Sequence, residues 1–132
     1  MMIKFRVWDK EEKKMHKVKT IEFSRRGARI IHLAEVNSNG KGDHKRWHSS
    51  VELMQSTGVT SIYDDNNTEI YEGDIVKTKS SPDGRFIGYV GNAVSRFEVR
   101  GVKQYKGLKY DLDGSYVVIG NVHQHPHLLE DN

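Results

Sequence analysis

The chain has 132 residues, of which 36% are hydrophobic and 30% are charged, a length and balance that predict one globular domain with a modest core. The absence of cysteine excludes a disulfide framework, a thiolate nucleophile and four-cysteine zinc sites, and it suits a reducing cytosol. No run approaches the ~18 apolar residues of a membrane span, and the start lacks the apolar block of a signal peptide. We therefore expect a cytoplasmic protein that makes no contact with a membrane.

The net charge of +3 is unevenly distributed. Residues 1–48 carry 13 Lys and Arg against 6 Asp and Glu, a net charge of +7, whereas residues 49–132 carry 8 against 12, a net charge of −4. A basic half attracts phosphate backbones or an acidic protein surface, and it can also pair with the acidic half of a second copy. A solvated surface that binds nothing explains the same pattern.

Residues 1–50 show the alternation of a β-meander. Phe5 and Val7 alternate with Arg6 and Trp8, the period of two that is typical of a strand. The polar residues 9–13 predict a turn, and the loop-forming residues 37–43 predict a loop. Further strands are predicted over residues 15–18, 21–23 and 30–36.

Short strands and turns continue to the end of the chain. A bend is predicted at Gly73 and Asp74, because glycine accepts positive φ and an aspartate side chain bonds the backbone of a turn. Gly58 and Gly120 are each expected to end a strand. Pro126, followed by two leucines, predicts a terminal helical turn. The strands are predicted over 51–54, 59–63, 69–72, 75–78, 86–90, 94–100 and 116–119, with turns at 64–68 and 80–84.

Three segments together resemble the YopX family of bacteriophage and prophage proteins. They are the opening Ile3 to Lys10, the central Leu53 to Gly58 with Ile70 to Val76, and the closing Val118 to Val122 with the leucines that follow. The resemblance implies an all-β protein with a C-terminal SH3-like barrel and a phage origin, and it implies no particular activity. We therefore expect one domain over 1–132, with an N-terminal β-meander (1–50) packed on an SH3-like small barrel (51–132).

Histidines near the C-terminus raise the question of a metal site. His123, His125 and His127 have a spacing that would place three imidazoles on one side of a straight strand, an arrangement that binds transition metals. Pro126 interrupts that geometry. We therefore expect a solvated histidine-rich end, with no metal and no cofactor.

Basic residues of the N-terminal half are the predicted binding surface, for a protein partner or for nucleic acid. Small barrels bind nucleic acid by combining basic residues with exposed aromatic rings. Trp8, Trp47 and Tyr105 meet that requirement in composition, but core packing is the favoured role for the two tryptophans. The basic candidates are Lys13, Lys14, Arg25, Arg26, Lys45 and Arg46, with Lys103 and Lys106 near Tyr105.

No catalytic motif stands out in the sequence. Glu72 and Asp74 form a carboxylate pair, but no histidine is placed beside them by the sequence. The predicted function is a non-catalytic interaction module that binds a protein, including its own copies as a homo-oligomer. Nucleic-acid binding by the basic half is the alternative, and a small enzyme with a site between the two parts is a third.

Overall fold

The structure is a computed structural model that describes residues 4–23, 25, 27, 29–34, 45–79 and 86–130. The described residues form strands and three short 3-10 helices, with no α-helix among them, so the predicted all-β class is confirmed. The predicted loop at 37–43, the turn at 80–84 and Arg26 lie outside these residues. The strands are β1 (Phe5–Asp9), β2 (Lys14–Phe23), β3 (Arg29–Leu33), β4 (Lys45–Trp47), β5 (Val51–Thr60), β6 (Glu69–Tyr71), β7 (Asp74–Thr78), β8 (Ile87–Ala93), β9 (Arg96–Gly101), β10 (Lys109–Asp111) and β11 (Tyr116–Asn121).

The chain divides into two compact units, Met1–Gln55 and Ser56–Asn132, and the division falls inside β5. Each unit has its own hydrophobic core. The N-terminal core is formed by Val7, Ile31, Leu33 and Val51, and the C-terminal core by Ile70, Val76, Phe86, Val90, Val99 and Tyr116. The subdivision at residue 50 and the SH3-like form of the second part stay predictions.

The two units share one strand order. In the N-terminal unit the order is β4-β3-β2-β1-β5, and in the C-terminal unit it is β10-β9-β8-β7-β11. In each unit four consecutive strands form an antiparallel meander, and the fifth returns to pair with the first. The short strand β6 pairs with the second half of β5. This equivalence of the two halves was not visible in the sequence, because no residue pattern repeats between them.

A short connection forces the N-terminal sheet to curl. β4 and β5 lie at opposite ends of the five-strand order, yet only the 3-10 turn at His48–Ser50 separates them along the chain. Four strand spacings of a flat sheet amount to about 19 Å, whereas the four Cα steps from β4 to β5 span at most about 14 Å. The strands must therefore curl around the core until β4 and β5 approach each other.

Two glycines lie inside strands that were predicted to end at them. Gly58, at φ +76°, lies inside β5 at an irregularity of the pairing with β6. Gly120 lies inside β11 at a register shift, where a Cβ atom would stand 2.7 Å from Nδ1 of His125. In both cases a bulge absorbs the glycine and the ladder continues beyond it.

Other local predictions hold in their main features. Gly73 has φ +84°, and the Asp74 carboxylate accepts a hydrogen bond from the Tyr71 amide at 2.8 Å. The terminal helical turn is a 3-10 helix at Pro126–Leu129. The strand over 116–119 is less buried than expected, since Val118 is 47% exposed while Tyr116 is buried.

Candidate functional site

The basic residues predicted as a binding surface do not form one patch. Lys13 and Lys14 lie where β2 begins, and Arg25 lies beyond its end. A ten-residue strand is about 30 Å long, so these charges stand at opposite ends of the sheet. Lys45 is on β4 next to Arg46, whose side chain contacts Glu12 in the β1–β2 turn, so it lies at the Lys13 end of β2 and not at the Arg25 end. Arg26 is outside the described residues.

Arg46 is part of an internal ion-pair cluster rather than a binding surface. Its Nε lies 2.7 Å from Oδ2 of Asp9 and its Nη2 lies 2.6 Å from Oε1 of Glu12, while its side chain is only 13% exposed. The other oxygen of Asp9 accepts the amides of Glu11 and Glu12. Burial raises the pKa of Asp9, but the hydrogen bonds from Arg46 and the two amides outweigh it, so the pKa lies below its usual value.

The same cluster contains the one set of three metal-ligand side chains that approach one another within the described part of the chain. Ligand atoms of Asp9, Glu12 and His16 lie within 4.8 Å of each other. Arg46 already pairs with both carboxylates, and a cation would have to displace it. The cluster is therefore better described as an ion-pair network than as a metal site.

The three C-terminal histidines are not arranged as ligands. Nδ1 of His125 accepts the Asn121 amide at 3.1 Å, and the rings of His125 and His127 have centroids 6.1 Å apart. His123 belongs, like the other two, to no group of three close metal-ligand side chains in the described ranges. His125 closes the turn after β11, and the alternative of a metal site at these three histidines gains no geometric support.

A cleft in the C-terminal unit gathers cations that the sequence places far apart. Its volume is about 390 Å³, and it lies where β8, β9 and β10 meet the segment that follows β9. Among the described residues, no carboxylate lines it. Its lining is formed by Tyr89, Arg100, Gly101, Val102, Lys103, Lys106, Gly107, Leu108, Lys109 and Leu129, and we call it the basic cleft.

Strand register aligns three of these side chains. Tyr89 of β8 is opposite Arg100 of β9, and Arg100 is opposite Lys109 of β10. Directly opposed residues of antiparallel strands point to the same face. Tyr89, Arg100 and Lys109 therefore form a row across the sheet. The Tyr89 ring is at one end of this row and the Lys109 ammonium group is at the other.

Arg100 is held within that row by an aromatic contact and two long hydrogen bonds. Its guanidinium lies 5.9 Å from the Tyr89 ring centroid and donates to the Asn92 carbonyl and to Glu98, each at 3.3 Å. Its hydrogen bond with Tyr89 raises the pKa of Arg100 against the opposing effect of burial, and Glu98 adds to this rise. Gly91 provides the space, because a Cβ atom there would stand 2.5 Å from Cζ of Arg100.

Two of the lysines, Lys103 and Lys106, come from a tightly bonded loop between β9 and β10. Gly101 donates to the Leu108 carbonyl at 2.8 Å and so closes the loop. A Cβ atom at Gly101 would stand 2.1 Å from the Tyr105 carbonyl oxygen, so only glycine fits there. Tyr105 packs on the buried ring of Phe86 at 5.2 Å. The loop is thereby anchored from inside the unit, and its lysines project from a fixed backbone.

Lys103 has a backbone conformation that is rare for its residue type. Its φ is +57°, and that of Lys13 in the β1–β2 turn is +58°. A lysine in this region costs about 1 kcal/mol relative to glycine or asparagine. The loop therefore keeps a positive charge at Lys103 at some cost in stability.

The charge of the cleft is only partly compensated. Glu98 pairs with Arg100, whereas Lys103, Lys106 and Lys109 make no ion pair with any described residue. Apolar surface lies beside these charges, since Leu108 is 47% exposed. Within the described part of the chain, the cleft thus combines three lysines that have no ion-pair partner with an aromatic ring and aliphatic walls.

Sequence reasoning reached only part of this site. Lys103 and Lys106 were named because of their nearness to Tyr105, but Tyr89, Arg100 and Lys109 were missed. The available signal was the spacing of lysines at 103, 106 and 109 in a segment that contains two glycines. Trp47 also differs from expectation, because it is 60% exposed, while Trp8 is buried.

The residues suspected of catalysis are not in the basic cleft. Asp74 is 3% exposed, and its carboxylate holds the bend through the Tyr71 amide. Glu72 is half-buried next to that bend. Neither lines the cleft, so the structure gives the carboxylate pair no substrate-sized space there.

The fold and the site define a small all-β protein with two antiparallel units and a cationic cleft in the second. The chain belongs to the YopX protein family, whose model matches residues 4–130, and the resemblance found in the sequence is confirmed. The chain is also similar to protein EF1440 from Enterococcus faecalis in its crystal structure, with 27% identity and a TM-score of 0.60 over 98% of this chain and 99% of that one. No curated protein is significantly similar to it. No helix among the described residues is long and apolar enough to cross a membrane.

Proposed function

We propose that this protein is a phage-encoded, non-catalytic interaction module that acts in the bacterial cytosol and binds an anionic partner through the basic cleft. The observation that carries the proposal is the gathering of Arg100, Lys103, Lys106 and Lys109 around one concavity of about 390 Å³, with no carboxylate among the described residues that line it. Like charges that are held close together in a folded protein repel one another, and an anionic ligand relieves that repulsion.

The position of these cations supports binding more than solvation. Four of the eight Lys and Arg residues of 49–132 line the cleft, although that part of the chain has a net charge of −4. The loop that carries two of them is closed by backbone hydrogen bonds. A locally basic cleft within an acidic half concentrates anions there, because clefts focus the electrostatic field.

The basic cleft of the C-terminal unit is a better candidate for the binding surface than the basic N-terminal residues that the sequence suggested. The N-terminal charges are spread over about 30 Å along β2, and Arg46 is engaged with Asp9 and Glu12. The C-terminal unit therefore supplies the better binding surface. The unequal charge of the two halves still favours self-association as a second candidate, and a monomer in sizing runs at both low and high salt would remove it.

Retention on immobilised heparin tests the proposed surface with two charge-matched triple variants. The first carries Lys103→Asn, Lys106→Gln and Lys109→Gln, and the second carries Lys13→Asn, Lys14→Gln and Arg25→Gln. Each removes three positive charges. We expect the first to elute at clearly lower salt than the second. Equal elution of the two variants would show that net charge, and not the basic cleft, causes retention.

A further inference from the structure

We propose that the basic cleft binds single-stranded nucleic acid, with phosphates at the lysines and a base on the surface formed by Tyr89 and Arg100. This inference rests on the proposed function and names its partner class. A concavity of about 390 Å³ is within the size range of pockets that hold one small ligand, which suits one nucleotide of a flexible strand.

The types of cation suit phosphate. The planar fork of an arginine binds carboxylate and phosphate alike, whereas lysine binds phosphate well as a point charge without such a fork. The one arginine among the described lining residues already donates to Glu98 and to the Asn92 carbonyl. The cations left for a ligand are Lys103 and its two neighbours in the lining. An acidic peptide would find no unengaged arginine fork among the described residues of the cleft.

The flat groups of the row favour an unpaired base. Tyr89 and the Arg100 guanidinium lie together at 5.9 Å and both line the cleft. Bases splayed from single strands stack on aromatic rings and on guanidinium planes, and this stacking tolerates any sequence. A duplex keeps its bases stacked inside, so it can offer only phosphates to this surface. The geometry thus selects single strands by their exposed bases.

The backbone conformation of the loop makes Lys103 a suitable position for a test substitution. Asparagine is the residue after glycine that best accepts the φ of +57° found there. Lys103→Asn therefore removes the charge without straining the loop. Lys13 supplies a matched control, because it is exposed, has φ +58° and lies in the other unit. The two substitutions change the same charge at the same backbone conformation.

Fluorescence anisotropy with a labelled oligothymidylate of about twelve nucleotides tests the inference. Loss of one phosphate contact lowers the slope of log K against log salt by about 0.7 for single strands. We expect Lys103→Asn to show that change and about fivefold weaker binding near 0.1 M salt, while Lys13→Asn binds like the wild type. Thermal unfolding of both variants confirms that they are folded.

Competition separates the possible partners. We expect an unlabelled single strand to displace the probe at lower concentration than a blunt duplex or polyglutamate of equal charge. Equal competition by the duplex, better competition by polyglutamate, or equal effects of the two asparagine variants would overturn the inference. If oligothymidylate fails to bind while heparin retention still depends on the cleft lysines, only this inference fails. If heparin retention is also independent of them, the proposed function fails with it.

Discussion

Arg46 on β4 and Asp9 at the end of β1 are in contact, with Nε 2.7 Å from Oδ2, although β2 and β3 lie between their strands in the sheet order. Three strand spacings of a flat sheet would separate the strands by about 14 Å. The contact therefore depends on the curling that the short β4–β5 connection imposes. It holds the β1–β2 turn against β4 and closes the polar end of the N-terminal core.

Removal of Arg46 should destabilise the N-terminal unit strongly. Arg46→Met leaves the Asp9 carboxylate buried without its cation, and breaking a buried pair in this way costs about 3 kcal/mol or more. Urea unfolding measures the change. Lys10→Met is the control in the same unit, since Lys10 pairs with Glu52 at the surface and should cost under about 1 kcal/mol. Equal losses would show that the Arg46 pair has no special role.

Stability should fall on acidification because of Asp9. The pKa of Asp9 in the folded protein lies below its value in the unfolded chain, which is about 4. The ionised carboxylate therefore stabilises the fold fully above about pH 4, and this stabilisation is lost as the pH falls through the lower folded-state pKa. We expect the free energy of unfolding of the wild type to decrease below about pH 4 more steeply than that of Asp9→Asn. Parallel pH profiles for the two proteins would contradict the assignment.

Two glycines beside the basic cleft should respond differently to the same substitution. The Cβ atom of Gly101→Ala would meet the backbone carbonyl of Tyr105 at 2.1 Å, and the closed loop cannot yield, so we expect a loss of about 2 kcal/mol or more. At Gly91→Ala the obstacle is the end of the Arg100 side chain, which can swing away. Chemical unfolding should therefore show a smaller loss for Gly91→Ala. The reverse order would contradict the packing described.

The bend before β7 should require residues that accept positive φ. Gly73 has φ +84°, and its amide and carbonyl bond to Val90 and Val122, so the backbone cannot rotate to relieve a side chain. We expect Gly73→Ala to cost about 1 to 2 kcal/mol. Gly73→Asn should cost less, because asparagine tolerates this region better. Thermal unfolding of the two variants gives the comparison, and an equal loss would exclude φ as the cause.

Local patterns predicted the fold class, but not the pairing of the strands. The strand around Val7 and the bend at Gly73 and Asp74 were predicted from a few adjacent residues, and the structure has both, although Val7, Trp8 and Asp9 are all buried and burial does not alternate there. Bulges at Gly58 and Gly120 depend on the register of pairing with the neighbouring strand, and residues adjacent in the sequence do not specify that register. The shared strand order of the two units is likewise a result of long-range pairing.

The basic cleft could not be predicted from net charge, because a net charge is summed over a whole segment and does not show where the charges gather. Residues 49–132 are acidic overall, which hides four cations gathered in one place. Arg100 and Tyr89 are eleven residues apart, and only the β8–β9 register places them opposite each other. The net charge of the N-terminal half is a poor guide to a binding surface for the same reason. Its positive charge is dispersed along β2, and part of it is paired within the Arg46 cluster.

Amide chemical shifts measured while an oligothymidylate is added to the ¹⁵N-labelled protein test most directly whether the basic cleft is the binding surface. The account predicts that the largest changes occur at residues 100–109 and at Tyr89, and that they fade as salt is raised. Changes that concentrate instead at residues 10–19 and around Arg25, with 100–109 unaffected, would contradict it.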